Sequence, residues 1–232
     1  MTTLPGGEMS GRPLHFIWIV DCSGSMQGEK IQSLNNAIKD MIPAMRNVAH
    51  SNPHARVLMR ALKFSSGATW HVTQPIPVEQ FQWPDLEAGG VTDMGRALLM
   101  VAEELKIPPM DPRGLPPVLV LISDGHPTDD VSKGISAIME QPWGKKAVRI
   151  AIGIGHDADH NVLRRFINHP EIQPLQANNA EQLVHYIKWA STAVLQSSSS
   201  PAVTDTSTHN GSGLHIPVPA PTNTMPIDSD VW

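Results

Sequence analysis

From residue 12 to residue 196, short apolar runs take turns with longer stretches in which apolar residues recur at every third or fourth position. The runs at 14–20, 118–122 and 147–154 are rich in β-branched and aromatic residues and are followed by turn-forming Gly, Ser or Asp. Runs with so little polar face predict strands covered on both sides, as in a parallel sheet. Helical spacing marks residues 29–49 through Ile31, Leu34, Ile38, Met41, Ile42 and Met45. Pro43 is expected to kink the last turns there, because it removes a backbone donor. The same spacing marks 97–105, 131–140, 159–168 and 179–195, the last through Leu183, Ile187, Ala190 and Val194. Residues 56–64 alternate with an apolar bias (Val57, Met59, Ala61) and read as a strand. The turn Ser65-Ser66-Gly67 then predicts an antiparallel hairpin with a short strand over 68–73, and 172–175 reads as an edge strand. Strand and helix in alternation predict an α/β, Rossmann-like open sheet, mostly parallel with one antiparallel short strand and helices on both faces.

The pattern stops at both ends. Residues 1–11 are predicted to be a flexible leader, 12–196 one domain, and 197–232 a disordered tail. That tail is dominated by Ser, Thr, Pro, Asn and Gly and contains no Lys or Arg. Such a composition buries too little apolar surface to offset its ordering entropy. Residues 227–232, Ile-Asp-Ser-Asp-Val-Trp, combine acids with an aromatic. They read either as a docking peptide or, the favoured reading, as an ordinary terminus. Pro75, Pro77 and Pro84 break up the stretch before residue 89, where Phe81 and Trp83 are expected to cover the sheet edge.

Charge and cysteine usage narrow the partners. The chain carries 17 basic and 22 acidic residues, a net charge of −5, which argues against non-specific binding to nucleic acid. Cys22 is the sole cysteine, so no intramolecular disulfide can form, and a reducing compartment is expected. The start of the chain has no apolar signal region, and no stretch is apolar for the length a bilayer requires. A cytoplasmic protein with no membrane contact is therefore expected.

The strand at 14–20 ends in Asp21-Cys22-Ser23-Gly24-Ser25. One carboxylate and two hydroxyls at alternate positions thus stand at the carboxyl end of a buried strand, where open α/β sheets place their ligands. Oxygen-only donors suit a hard divalent cation, Mg²⁺ above all. A Ser/Gly turn with Asp21 as a helix cap accounts for these residues equally well. Two later segments favour the cation. The glycine-rich loop 89–95 contributes Thr92, and the strand at 118–122 ends in Ser123-Asp124-Gly125. Asp21, Ser23, Ser25, Thr92 and Asp124 together complete an oxygen cage.

This D-x-S-x-S … T … D set resembles the metal-ion-dependent adhesion site of the von Willebrand factor A family, with elements in the family's order over roughly residues 12–195. The segment Ser123-Asp124-Gly125-His126-Pro127-Thr128-Asp129-Asp130 is similar to the T-D-G-x-P-T-D-D of its bacterial tellurium-resistance Y-type branch. Ser123 in place of threonine, and Val91 between the glycines and Thr92, depart from the pattern. The resemblance implies that Ser23, Ser25 and Thr92 bind the metal directly, while Asp21 and Asp124 act partly through water. It implies Mg²⁺, with Mn²⁺ or Ca²⁺ as alternatives, and a partner's Asp or Glu at the open coordination position. It further implies that Thr92 reaches the cation in only one arrangement of a loop freed by Gly89, Gly90 and Gly95. The branch is associated with bacterial stress-response gene sets that include kinase-like and phosphatase-like proteins, which are the partners it suggests.

Other residues admit simpler accounts. His156 and His160 flank Asp157 and Asp159, and an ordinary turn is preferred there to a transition-metal site. His126 either tunes partner binding with pH or is an exposed loop histidine. Asp93 is expected to cap the helix that follows it, and Asp129 and Asp130 the next one. A metal-dependent protein-interaction module, not an enzyme, is the expected function. The alternative is a metal-dependent phosphohydrolase using the same oxygens. Ser23 stands where dehalogenase-type enzymes need a second carboxylate, and no base is paired with either serine. No nucleophile elbow, phosphate-binding loop or dinucleotide fingerprint occurs.

Overall fold

The computed structural model describes residues 11–199 and Trp232. Its frame is a six-stranded sheet in the order β3-β2-β1-β4-β5-β6. Strand β1 (Arg12–Asp21) pairs in parallel with β2 (Ala55–Ser65) on one side and β4 (Val118–Ser123) on the other. Strand β5 (Val148–Ile154) continues the parallel set and β6 (Leu175–Ala177) closes it. The one antiparallel strand is β3 (Gly67–Pro77), joined to β2 through a hairpin. This is the architecture the hydrophobic pattern predicts, with two adjustments. Strand β3 is 11 residues long rather than short, because at the sheet edge Pro75 and Pro77 have no neighbouring strand on one side to satisfy. Strand β6 lies a few residues later than the 172–175 expected.

Alternate residues of the central strands feed two cores. Leu14, Phe16, Trp18 and Val20 of β1 pack with Val118, Val120 and Ile122 of β4 against α1 (Glu29–His50) and α6 (Ala180–Trp189). Ile17 and Ile19 join Leu119 and Leu121 under α2 (Met94–Glu104), α3 (Val131–Glu140) and α5 (His160–Ile167). Because every side chain of β4 is buried, neither face could be polar, which is why that run is continuously apolar. Pro43 sits inside α1, and the helix runs through it. A short helix α4 (Pro142–Lys146), which the periodicity did not signal, precedes β5. Phe81 and Trp83 are buried in the α1-side core, where the Trp83 indole donates to Asn35 Oδ1 at 2.9 Å. Helix α6 passes through a π-helical stretch, Ala190–Val194, into α7 (Leu195–Ser199). The tail expected from residue 197 therefore begins as helix. The remainder of that tail except Trp232, and the leader except Gly11, lie outside the described residues. Among the described residues no helix is long and apolar enough to cross a membrane.

Candidate metal centre

Sheet register brings the two carboxylates together. Val20 lies opposite Ile122, so the next positions, Asp21 and Ser123, share the carboxyl edge of the sheet. The Ser123 hydroxyl donates to Asp21 Oδ2 at 2.6 Å, and the Ser23 backbone N–H donates to Asp21 Oδ1 at 2.8 Å. Asp21 is wholly buried, and that burial pushes its carboxyl above the ordinary carboxylate range. The Ser123 and Ser23 hydrogen bonds oppose the shift, while the nearby Asp124 charge adds to it. A buried carboxylate lifted in this way is one that a cation would relieve.

Three segments supply the rest of the set. After β1 the chain makes a single 3₁₀ turn (Gly24–Met26), which places Ser23 Oγ 3.0 Å from Ser25 Oγ. Ser25 Oγ donates to Asp124 Oδ1 at 2.7 Å. Asp124, immediately after β4, is fully buried, and its other oxygen receives Lys30 Nζ at 2.7 Å. Gly125 leaves the space between the hydroxyls clear: a Cβ there would stand 3.7 Å from Ser25 Oγ and 3.9 Å from Thr92 Oγ1. Thr92 is buried, and its backbone is pinned by Thr128, whose N–H donates to Thr92 O and whose Oγ1 accepts from Thr92 N. The five oxygen-bearing residues singled out in the sequence are thus gathered at one sheet edge. Ser25 alone among them is exposed.

Three expectations about the surrounding loop need correction. Asp93 occupies the N-cap position of α2 but makes no cap hydrogen bond. Its Oδ2 accepts Gly67 N–H at 2.7 Å and its Oδ1 accepts the Thr128 hydroxyl at 3.0 Å, so it ties the β2–β3 hairpin to the Asp124 loop. Capping of α2 falls to Asp129, which accepts Gly95 N–H at 2.7 Å and Arg96 N–H at 2.8 Å. Asp130 alone caps α3. The glycines, finally, are not a common reserve of flexibility. Gly90 has φ +89° and packs so closely on Ser66 that a Cβ would lie 2.6 Å from its Oγ. Gly24 N–H bonds to Gly90 O at 3.0 Å and Gly89 N–H to Cys22 O at 2.8 Å, stitching the loop to the β1 turn. Gly95 adopts no such backbone; it is required because Asp130 O would be 2.5 Å from a Cβ there.

Lys30, which the sequence pattern did not single out, and Ser123, which it marked only as a departure from the family's threonine, complete the centre. A helix that opens beside a strand end puts its first-turn side chains at that end, which was a usable signal for Lys30. His126, largely exposed, reaches Asp159 at 3.2 Å, while Asp159 also caps α5. Cys22 is buried, and burial, reinforced by the Asp21 charge, pushes its thiol up to about 12, so it is a packing residue rather than a reactive one. The donor set of two carboxylates and three hydroxyls fits a hard divalent cation, and Lys30 compensates part of the carboxylate charge.

Comparison with solved structures finds the same fold in proteins of low identity. A von Willebrand factor type A protein from Catenulispora acidiphila is 16% identical, with a TM-score of 0.60 over 79% of this chain and 43% of that one. The ArnB paralog VWA2 of Sulfolobus acidocaldarius is 19% identical, with a TM-score of 0.57 over 79% and 46%. Proximal thread matrix protein 1 of the mussel byssus, in a structure with a zinc-occupied metal-ion-dependent adhesion site, is 14% identical with a TM-score of 0.56 over 81% and 47%. The chain spans less than half the length of each. No curated protein matches it. The family model for the von Willebrand factor type A domain covers residues 17–188, which takes in all five oxygen-bearing residues of the centre. With strand order, loop placement and family model in agreement, the chain belongs to the von Willebrand factor type A family.

Proposed function

We propose that this chain is a metal-dependent protein-interaction module. In this proposal Asp21, Ser23, Ser25, Thr92 and Asp124 hold Mg²⁺, or Mn²⁺ or Ca²⁺ in its place, and an Asp or Glu of a partner protein completes the coordination. The observation that carries the proposal is the meeting of two fully buried carboxylates with hydroxyls from separate segments at one edge, open to solvent on the Ser25 side. The cation supplies the positive charge that attracts the incoming carboxylate, and neutral hydroxyl ligands leave that charge largely unquenched. Domains of this family are commonly interaction modules with such a metal site.

An enzyme would need an activated nucleophile. Ser23 Oγ faces Ser25 Oγ, and Ser25 donates to Asp124, whose other oxygen is already ion-paired with Lys30, so neither hydroxyl is paired with a free base. The narrower assignment, to the tellurium-resistance Y-type branch and a bacterial stress-response system with kinase-like or phosphatase-like partners, rests on the sequence resemblance of residues 123–130 alone. A cytoplasmic setting is proposed from cysteine usage alone, a single cysteine allowing no intramolecular disulfide.

The test is retention of partners on the immobilised full chain in Mg²⁺ against EDTA, repeated with Asp21→Asn. Proteins retained only with Mg²⁺, and not by the variant, are expected. Retention indifferent to EDTA and to the variant would overturn the proposal. Mg²⁺-dependent turnover of p-nitrophenyl phosphate, lost in the variant, would replace it with the phosphohydrolase.

A further inference from the structure

A groove at the same sheet edge lies between Gly155 at the end of β5, Asn178 just after β6, and the start of α1. Trp232 occupies it. Its backbone N–H donates to Asn178 O at 2.9 Å, and its side chain packs against the α1-side core. Asn178 follows the last residue of β6, so the carbonyl that accepts this bond stands at the carboxyl end of the sheet, beside the end of β5. The floor of the groove is rigidly built. Gly155 N–H bonds to Ala177 O at 2.7 Å, Gln176 Nε2 bridges Gly155 O and Asn178 Oδ1, and Asn178 N–H is held by Gln182 Oε1 at 2.8 Å. Gly155, with φ +72°, has both Trp232 O and Lys30 Nζ within contact distance of where a Cβ would stand, at 3.7 and 3.5 Å. Trp232 therefore sits beside the lysine that engages Asp124. Among the described residues the buried indole N–H has no hydrogen-bond partner. That places the ring in the groove for its apolar area rather than for a polar contact.

We infer that this groove is a docking site for the tryptophan side chain of a peptide segment, which the chain's own Trp232 fills. The inference goes beyond the metal-dependent interaction and does not rest on it. The main-chain hydrogen bond to Asn178 O gives such a site its orientation, and apolar packing of one large side chain gives it selectivity. A docking residue on the same chain holds the site intramolecularly, so a free peptide competes at a disadvantage. A partner segment with an exposed tryptophan would have to displace Trp232, and would then lie next to Lys30 and the candidate metal centre.

The experiment measures binding of a fluorescently labelled peptide with the sequence of residues 227–232 to the full chain and to its Trp232→Ala variant. It is run in EDTA, so that the result is independent of any bound divalent cation. The variant, with its fold checked by circular dichroism, is expected to bind the peptide at least about tenfold more tightly than the parent, whose site is filled. A peptide with alanine in place of the tryptophan should bind neither. Equal affinity for parent and variant, or no binding to the folded variant, would overturn the inference. So would undiminished binding of the alanine peptide.

Discussion

At the scale of single residues, Lys30 is the most consequential finding. Its ammonium lies on Asp124 with only 18% of the lysine side chain exposed, so it supplies positive charge where a divalent cation would also be attracted. If the two compete, Lys30→Met should tighten Mg²⁺ binding at least about tenfold, or ~1.4 kcal/mol. It should also destabilise the metal-free protein by roughly 3 kcal/mol, because a buried carboxylate loses its partner. Calorimetric titration and urea unfolding of the same variant check both. Weaker Mg²⁺ binding would mean that Lys30 orients Asp124 instead of competing with the metal. Asp21 differs, because its hydrogen-bond partners among the described residues are a hydroxyl and a backbone N–H rather than a cation. Asp21→Asn keeps the Ser23 hydrogen bond and removes a buried charge, so its metal-free melting temperature should not fall.

At the scale of elements, the loop that carries Thr92 is a tied structure whose knots are carboxylates. Asp129 caps α2 from across the loop, whereas Asp93, which the sequence places at that cap, reaches the β2–β3 turn instead. Loss of a cap costs ~1 kcal/mol, so Asp129→Ala should lower unfolding free energy by about that amount. Asp93→Ala should act mainly on the loop and weaken Mg²⁺ binding through Thr92. Urea unfolding and metal titration of the pair distinguish these effects. Equal stability losses with unaltered metal binding would contradict the assignment of roles. Thr92 makes no cap bond for α2, so Thr92→Ala is expected to weaken partner binding about tenfold or more while leaving stability nearly unchanged.

At the scale of the whole molecule, the fold's pH response has an identifiable contributor away from the metal centre. His15 on β1 is held down to about 4 by burial first and by the Arg60 charge next, with Glu104 opposing. The folded form stays neutral while the unfolded chain takes up a proton near 6.5, so stability falls as pH drops from about 6.5 towards 4. The loss is at most roughly 3 kcal/mol. His15→Asn should remove that part of the decline in urea unfolding measured from pH 7.5 to 4.5. An unchanged profile would exclude His15 as its source. The sheet was legible in the sequence because its central strands are buried on both faces and cannot hide a polar pattern. Helix α3 was legible because its cap and apolar stripe coincide. Strand β6 and helix α4 were less so, being three and five residues long, too short for a period to develop. Asp21, Ser23 and Ser25 stood out because they alternate at one strand end. Lys30 and the capping of α2 by Asp129 instead of Asp93 did not, since they depend on how loops far apart in sequence meet. The central claim is that oxygens from these separate segments form one divalent-cation site. Its most direct measurement is calorimetric titration of Mn²⁺ or Mg²⁺ into the full chain and into Asp21→Asn. The account predicts one ion per chain for the parent and at least about tenfold weaker binding for a variant that melts no lower in EDTA. Equal binding by the two proteins would contradict it.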